Sequence, residues 1–543
     1  MSFDKAKGHF LAGLSLMSSE RWADAEFEFR QSLNLLPGRL STLINLSASL
    51  LKQDKLSEAE CFVEEALALE QDNPEALLNH GILCFKMGRA SEGEESFLSA
   101  LAVRPDSAEI LTNLGSLVIE EGRVEEALGY YKRAMELHPD YPEALNSYGV
   151  ALTGLMHYEE ALAYFDRSVE LRPTFYEAWN NRGGVLHDLQ RYDESYQSYT
   201  TALKVRPGYS EALYNQGLLL LSLKSFESGF ELYKHRWSSK PPPRRELTLD
   251  LPAWHRDNLP RSGSDPARVL LWAEQGLGDE VFYASLLRLL PDSGLLFSLS
   301  VDHRLMPIFS RSFPGMDLID RRLVPRLEDG QFDAQAPIGD LGGILEISER
   351  RATDIASSPY LIPNRQVGGR LREENPGFRE GPICGVAWRS SGGRFSSQKS
   401  LDLESFGRAL RALPHQLVNL QYGDVGGDLL VLEKTASREI RQARGLDIYN
   451  DIEGLTSLID LCDVVVTCSN VTAHLAGAIG KRCAVLLPFG RGKIWYWHEG
   501  DKTSMWYPSL RLFRQDRDLD WTPPIREACG WISNLGRTSE RSN

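Results

Sequence analysis

Asp279 closes the stretch Val269-Leu-Leu-Trp-Ala-Glu-Gln-Gly-Leu-Gly-Asp-Glu280. An apolar run, two glycines, an acid and a second apolar run predict a strand, a tight turn and a helix over residues 281–290. Gly276 and Gly278 would let backbone come close to a ligand, and a helix N-terminus favours negative charge on that ligand. Neither nucleotide fingerprint is complete: Val281 stands where a third glycine belongs, and no Gly-Lys-Ser/Thr follows. At this positive helix end Asp279 has two readings, a helix cap or a general base pointing into a cleft.

Three other groups carry chemistry. Ser469-Asn-Val-Thr-Ala-His-Leu-Ala-Gly-Ala-Ile-Gly480 lies between two predicted strands. Ser469 or Asn470 can cap the helix, and its free N–H groups with the Ser469 and Thr472 hydroxyls would make an anion site. His474, one turn in, could donate to a diphosphate or be a core or surface histidine. Trp388-Arg-Ser-Ser-Gly-Gly-Arg394, followed by Lys399-Ser400, puts cations in a Gly/Ser loop. Arg389 and Lys399 there suit a phosphate clamp, or a solvated basic loop. Gln421-Tyr-Gly-Asp424 follows another strand and could line the same cleft. The aromatics Trp495-Tyr-Trp497 and Trp506-Tyr-Pro508 could stack on a base or sugar, or fill a core. No His/Cys/Asp set has zinc spacing and no Gly-x-Ser-x-Gly elbow occurs, so neither a metal nor a cofactor is expected.

Such groups need elements to hold them at one cleft. Short apolar runs at 295–301, 383–388, 417–420, 463–467 and 483–487 alternate with helical patterns at 303–312, 403–413, 452–461 and 471–479. That alternation implies buried parallel strands, with ligand held at their C-terminal edges. Two α/β halves are expected, residues 268–367 and 382–535, joined by a Gly/Pro/charge-rich hinge at 368–381. Ahead of them Ser238-Ser-Lys-Pro-Pro-Pro-Arg-Arg245 opens a stiff linker, residues 241–267.

Residues 1–240 repeat. Pro105, Pro139, Pro173 and Pro207 fall 34 residues apart. Gly13, Gly81, Gly115, Gly149, Gly183 and Gly217 keep that register, as do a small series (Ala25, Ala59, Gly93, Ala127, Ala161) and a bulky one (Phe29, Val63, Phe97, Tyr131, Phe165). The period and its residue classes resemble the tetratricopeptide repeat, in about seven units. Such units stack helix pairs into a curved array whose concave face takes extended peptide or a partner's helix. Asn45, Asn79, Asn113, Asn181 and Asn215 share one offset. An Asn ladder can pair with successive peptide groups of an acceptor chain; it can equally be a solvated polar face. It resembles the ladder by which eukaryotic O-GlcNAc transferases grip acceptor polypeptide.

A chain of 543 residues needs several domains. A net charge of −15 argues against nucleic-acid or anionic-membrane partners. No secretory signal and no membrane span is expected, and the seven scattered cysteines suit a reduced, cytoplasmic setting.

Residues 268–520 resemble the heptosyltransferase-related group of two-domain (GT-B) glycosyltransferases, in the bacterial branch that carries tetratricopeptide repeats. The resemblance rests on Trp272 to Asp279, Lys399-Ser400, Asn419 to Asp424, Ser469 to Gly480 and Trp506 to Gln515. It implies an all-α tetratricopeptide superhelix followed by two Rossmann-like α/β halves. It makes Asp279 the general base of a metal-independent transferase. The nucleotide-sugar donor would be held by Gly276, Gly278, Arg389, Lys399, Gln421, Ser469, Asn470, Thr472 and His474. The family's Asp-Thr-Gly-x-x-His donor loop reads Ser469-Asn-Val-Thr-Ala-His474 here, so its Asp and Gly are replaced. The expected activity is sugar transfer to a protein recruited by the repeats, flagellin being one such acceptor. The alternatives are an inactive adaptor and an enzyme for lipid-linked saccharide.

Overall fold

A computed structural model of the chain describes residues 2–239, 250–255, 266–274, 276–290, 294–326, 330–379, 381–390 and 395–539. The linker prolines Pro241 to Pro243 and the Ser391 to Arg394 part of the basic loop lie outside the described residues. The chain divides into two compact units, Met1–Leu186 and His187–Asn543. The division falls inside the Tyr176–Asp188 helix, within the repeats rather than at the linker.

The first unit is all helical, in pairs such as Leu40–Lys52 with Leu56–Leu69 and Ala108–Glu120 with Val124–Leu137. Its sequence series turn out to be contacts. A Cβ on Gly13, Gly81, Gly115 or Gly149 would meet the ring of Phe29, Phe97, Tyr131 or Phe165 at 2.4 to 2.9 Å. The glycine and the aromatic of each repeat are therefore two halves of one packing event. Second helices stop at Val103, Leu137 and Leu171, two residues before the register prolines. The residue before each proline is pushed out of the helical region: Arg104, His138 and Arg172 have φ of −128, −137 and −134°. The turn inside each repeat needs a left-handed residue at the same period, filled by Glu20, Asp54, Gly88, Gly122 and Met156.

In the second unit, helices Tyr192–Val205, Ser210–Ser222 and Phe226–Tyr233 and a 3-10 turn at Lys234–Ser238 precede two sheets. The first sheet holds β1 (Arg268–Trp272), β2 (Leu296–Val301), β3 (Asp317–Asp320) and β4 (Ala334–Pro337), in the order β3-β2-β1-β4. The second holds β5 (Ile383–Val386), β6 (Gln416–Asn419), β7 (Ile440–Arg441), β8 (Val464–Cys468), β9 (Cys483–Leu487) and β10 (Leu510–Arg514), in the order β10-β9-β8-β5-β6-β7. All the pairings are parallel. Strands β8 and β9 are buried along their whole length, which is why they read as unbroken apolar runs. Strand order reverses at β1 in one sheet and at β5 in the other. Parallel sheets bind ligands beyond such reversal points.

A buried ion pair ties the chain leaving the last repeat to the end of β1. Arg236 Nε and Nη2 donate to the two carboxylate oxygens of Glu274 at 2.8 and 2.6 Å. Both side chains are fully buried, and Glu274 also accepts the Gly339 N–H. Nothing in the sequence pattern pointed to Arg236.

Two sequence expectations need correction. The first part of the stretch expected as a hinge, 368–381, belongs to a helix, Arg365–Glu374, capped by Asn364 and packed on the Ile452–Leu461 helix. Its glycines misled, because Val367 and Leu371 four residues apart supply an apolar edge that outweighs them. The helix after β1 starts at Leu277, not at 281, runs to Ala284 and continues as a 3-10 turn over Ser285–Leu289.

Candidate active site

That early start sets the geometry of Asp279. Gly276 is the N-cap residue and Asp279 sits in the first turn. Its Oδ2 accepts the Gly276 N–H at 3.3 Å, so it does cap the helix. Its Oδ1 accepts the Tyr496 hydroxyl at 3.2 Å, from the second half. Burial pushes the Asp279 carboxyl up, against the pull of the Gly276 N–H, the Lys399 charge and Tyr496. Burial pushes Lys399 down, and Asp279 is the charge that resists this most. An acid that follows β1 and a base that follows β5 therefore favour one another's charged form.

The second half meets this point with the Val471–Ala478 helix. Asn470 is its N-cap: Oδ1 accepts from the Ala473 N–H at 3.3 Å and from the Thr467 hydroxyl at 3.0 Å. Its Nδ2 donates to the Arg389 carbonyl, fastening the basic loop to the cap. Ser469 Oγ accepts the Trp497 indole N–H at 2.9 Å. Thr472 is fully buried, and its hydroxyl has no partner among the described residues. Gln421, 1% exposed, accepts the N–H groups of Trp388 and Arg389 at 2.9 and 2.7 Å. It shapes the loop after β5 from beneath. Arg389 spends its guanidinium on the Asp424 carbonyl at 2.6 Å and on the Asp428 carboxylate at 2.9 Å. The sequence reading did not anticipate these partners, since Asp428 lies in a later helix, Gly426–Ala436.

His474 lies in the core. It is 2% exposed and boxed by Tyr496, Trp497 and Tyr507, and burial pushes its pKa down to about 3. A proton chain fixes its tautomer. Tyr360 donates to the Val281 carbonyl at 2.6 Å, so its oxygen takes the Tyr507 proton at 3.2 Å. Tyr507 in turn takes the proton of His474 Nδ1 at 3.1 Å. Nε2 is then an acceptor and cannot donate to a diphosphate. Gly278 packs against this ring, since a Cβ there would lie 3.0 Å from His474 Cδ2. Gly278 thus serves close approach of two helix starts. Gly276 is exposed, with nothing nearer its missing Cβ than Asp279 Oδ2 at 3.8 Å.

The described residues hold no group of three or more His, Cys, Asp or Glu placed for a metal, and no helix long and apolar enough to cross a membrane. Sequence reasoning missed Glu280, 1% exposed, which accepts the Asp302 N–H at 3.0 Å and pairs with Arg321; burial raises its pKa to about 7. Tyr496 was read only as a stacking or core aromatic. Its contact with Asp279 spans 217 residues, and local pattern does not reach that far.

In the first unit the amides of four expected ladder residues bond to other groups of the array. Asn79, 7% exposed, donates to the Ile44 carbonyl at 2.9 Å and to Ser47 Oγ at 3.0 Å in the preceding repeat. Asn181 donates to Asn146 Oδ1 at 3.0 Å. Asn45 and Asn113 donate back to Ser41 and Glu109 carbonyls in their own helices. Asn215, in the second unit, is partly buried on the Ser210–Ser222 helix.

Residues 72–140 and 106–174 match one tetratricopeptide-repeat family profile, and residues 176–209 match a second. The helical array is built of tetratricopeptide repeats. Protein FlbA of Caulobacter vibrioides is 29% identical over 301 residues, covering 51% of this chain and 48% of that protein. The chain thus spans about half the length of the curated relative it matches. Among solved structures, Pseudomonas aeruginosa PilF aligns at 17% identity over 40% of this chain and 98% of its own, with a TM-score of 0.32. A tetratricopeptide-repeat protein of Parabacteroides merdae aligns at 16% identity over 42% and 91%, with a TM-score of 0.34.

Proposed function

We propose that this protein is a glycosyltransferase that moves a sugar from a nucleotide-activated donor to a hydroxyl of a protein acceptor engaged by its repeats. The observation that carries the reading is Asp279, raised by burial and set beside Lys399 and Tyr496 where β1 ends. A raised carboxylate is a better base. In the proposed step it takes the acceptor hydroxyl's proton as that oxygen bonds to the anomeric carbon. The bond from that carbon to the donor phosphate breaks, and its electron pair leaves with the nucleotide. Lys399, the Thr472 hydroxyl and the free N–H groups opening the Val471–Ala478 helix would receive the phosphate charge. His474 and Gln421 would hold these groups in place. The acceptor class, with flagellin as one candidate, rests on the resemblance of residues 268–520 to the transferase group.

The test is Asp279→Asn in the full chain, assayed against a panel of nucleotide sugars for transfer and for release of free sugar. Asn keeps the size and the capping oxygen, so the melting temperature should hold while turnover falls about 10²- to 10⁴-fold. A variant that turns over like wild type removes Asp279 as the base. Lower stability with normal turnover would leave it only the cap.

A further inference from the structure

Asp279 and Tyr496 line a cavity of about 200 Å³ that no local sequence pattern announces. The repeats line it too: Tyr214 and Leu218 on the Ser210–Ser222 helix and Tyr233 on the Phe226–Tyr233 helix. So do His187 and the ion pair of Lys493 and Glu499 at 3.0 Å. The buried His187 Nε2 has no hydrogen-bond partner among the described residues. Such orphaned polar atoms are rare in folded proteins and usually mark a missing partner. The volume suits one sugar ring. Aromatic side chains together with hydrogen-bonding groups in one lining suit a ring with apolar faces and a hydroxyl rim.

We propose that this cavity holds the sugar of the activated donor, with the last repeat's helices as part of its lining. His187 and the Lys493–Glu499 pair then choose the sugar by its hydroxyl pattern. The proposal rests on the transferase reading above and deepens it: the repeats would shape donor specificity as well as recruit the acceptor. Asp279 borders the same space, so an acceptor oxygen that loses its proton there lies next to the enclosed ring.

The test uses the full chain, first without acceptor and then with a candidate protein acceptor. Wild type is screened for free-sugar release from uridine, guanosine, thymidine and cytidine nucleotide sugars, and the donor it hydrolyses becomes the probe. His187→Gln removes the imidazole, and Leu218→Phe narrows the cavity. Each should raise the donor KM about tenfold or more, the loss of one good contact. Inhibition by the free nucleotide, which lacks the sugar, should stay within about twofold of wild type. If Leu218→Phe does not fold, His187→Gln alone decides. An unchanged donor KM with weakened transfer to protein would give the cavity to the acceptor and overturn the proposal, as would no change in either. A wild type that hydrolyses and transfers no donor would instead overturn the transferase reading, taking this pocket's assignment with it.

Discussion

The first unit repeats its chemistry and the second does not. In the array one glycine–aromatic contact recurs from repeat to repeat, at Gly13–Phe29, Gly81–Phe97, Gly115–Tyr131 and Gly149–Phe165. Its polar residues follow the same period, and Asn79 and Asn181 use it to reach into the preceding repeat. In the α/β part each polar contact occurs once. Asp279, Lys399 and Tyr496 come from three separate segments that are brought together only by packing over long sequence separations. Periodic polar residues thus report assembly of the stack, whereas unrepeated ones buried at strand ends mark where chemistry can be done.

The largest effect that sharpens this contrast lies at Lys399. Lys399→Met removes the positive charge nearest to where a leaving phosphate would sit. We expect turnover to fall about 10²- to 10³-fold, as for loss of a preorganised electrostatic contact. The pH profile gives a second readout with a definite sign. On the proposed reading Asp279 must be ionised to act as base, so activity is expected to fall as pH drops through its raised pKa. Lys399 opposes that rise, so its removal should move the acid limb to still higher pH. A limb that stays put would separate Lys399 from Asp279.

The two regions were unequally legible in sequence, for physical reasons. The array announced itself because each repeat meets the same steric demand, so small and bulky residues recur at fixed offsets. The left-handed turn at Glu20, Asp54 and Met156 escaped notice because its conformation is fixed by the helices on either side, and only Gly88 and Gly122 advertise it. In the second unit, β8, β9 and the Ile452–Leu461 helix were plain from apolar runs and period. Strand β10 was not, since Arg511 and Arg514 interrupt it, and two-residue β7 is too short to show a pattern. Asp279 could be found because its neighbours in sequence build the turn that holds it. Its partner Tyr496, the Arg236–Glu274 pair and the cavity wall at Tyr214 are long-range products of packing.

A glycine in each region tests the same contrast with a smaller effect. Gly115→Ala places a Cβ 2.6 Å from Tyr131 Cε1, in a contact that its repeat needs to form. We expect a loss of about 1–3 kcal/mol in stability, typical of overpacking, measured by urea denaturation, with per-molecule turnover of the folded protein unchanged. Gly278→Ala places its Cβ 3.0 Å from His474 Cδ2, between two helix starts. Part of that strain is offset by the better helix propensity of alanine, up to about 1 kcal/mol. Here turnover should fall more than stability, because Asp279 is the next residue. Equal losses of stability with no loss of turnover at either position would erase the distinction.

The smallest effect separates assembly from recognition within the array itself. Asn79 and Asn113 occupy the same offset, 34 residues apart, yet their amides do different things. Asn79 bonds a backbone carbonyl and a hydroxyl of the preceding repeat, whereas Asn113 bonds only the Glu109 carbonyl one turn back in its own helix. Asn79→Ala should therefore cost about 1 kcal/mol, the net worth of a hydrogen bond that joins repeats. Asn113→Ala should gain a few tenths of a kcal/mol, since alanine is the better helix former. Urea denaturation of the two variants checks the stability difference. Titration of a protein acceptor then asks the other question. If both amides also reach a bound chain, both variants should bind it about fivefold more weakly, although their stabilities move in opposite directions. Should only Asn79→Ala weaken binding, and only as far as its lower stability explains, the series is a fastening between repeats and the acceptor is gripped elsewhere.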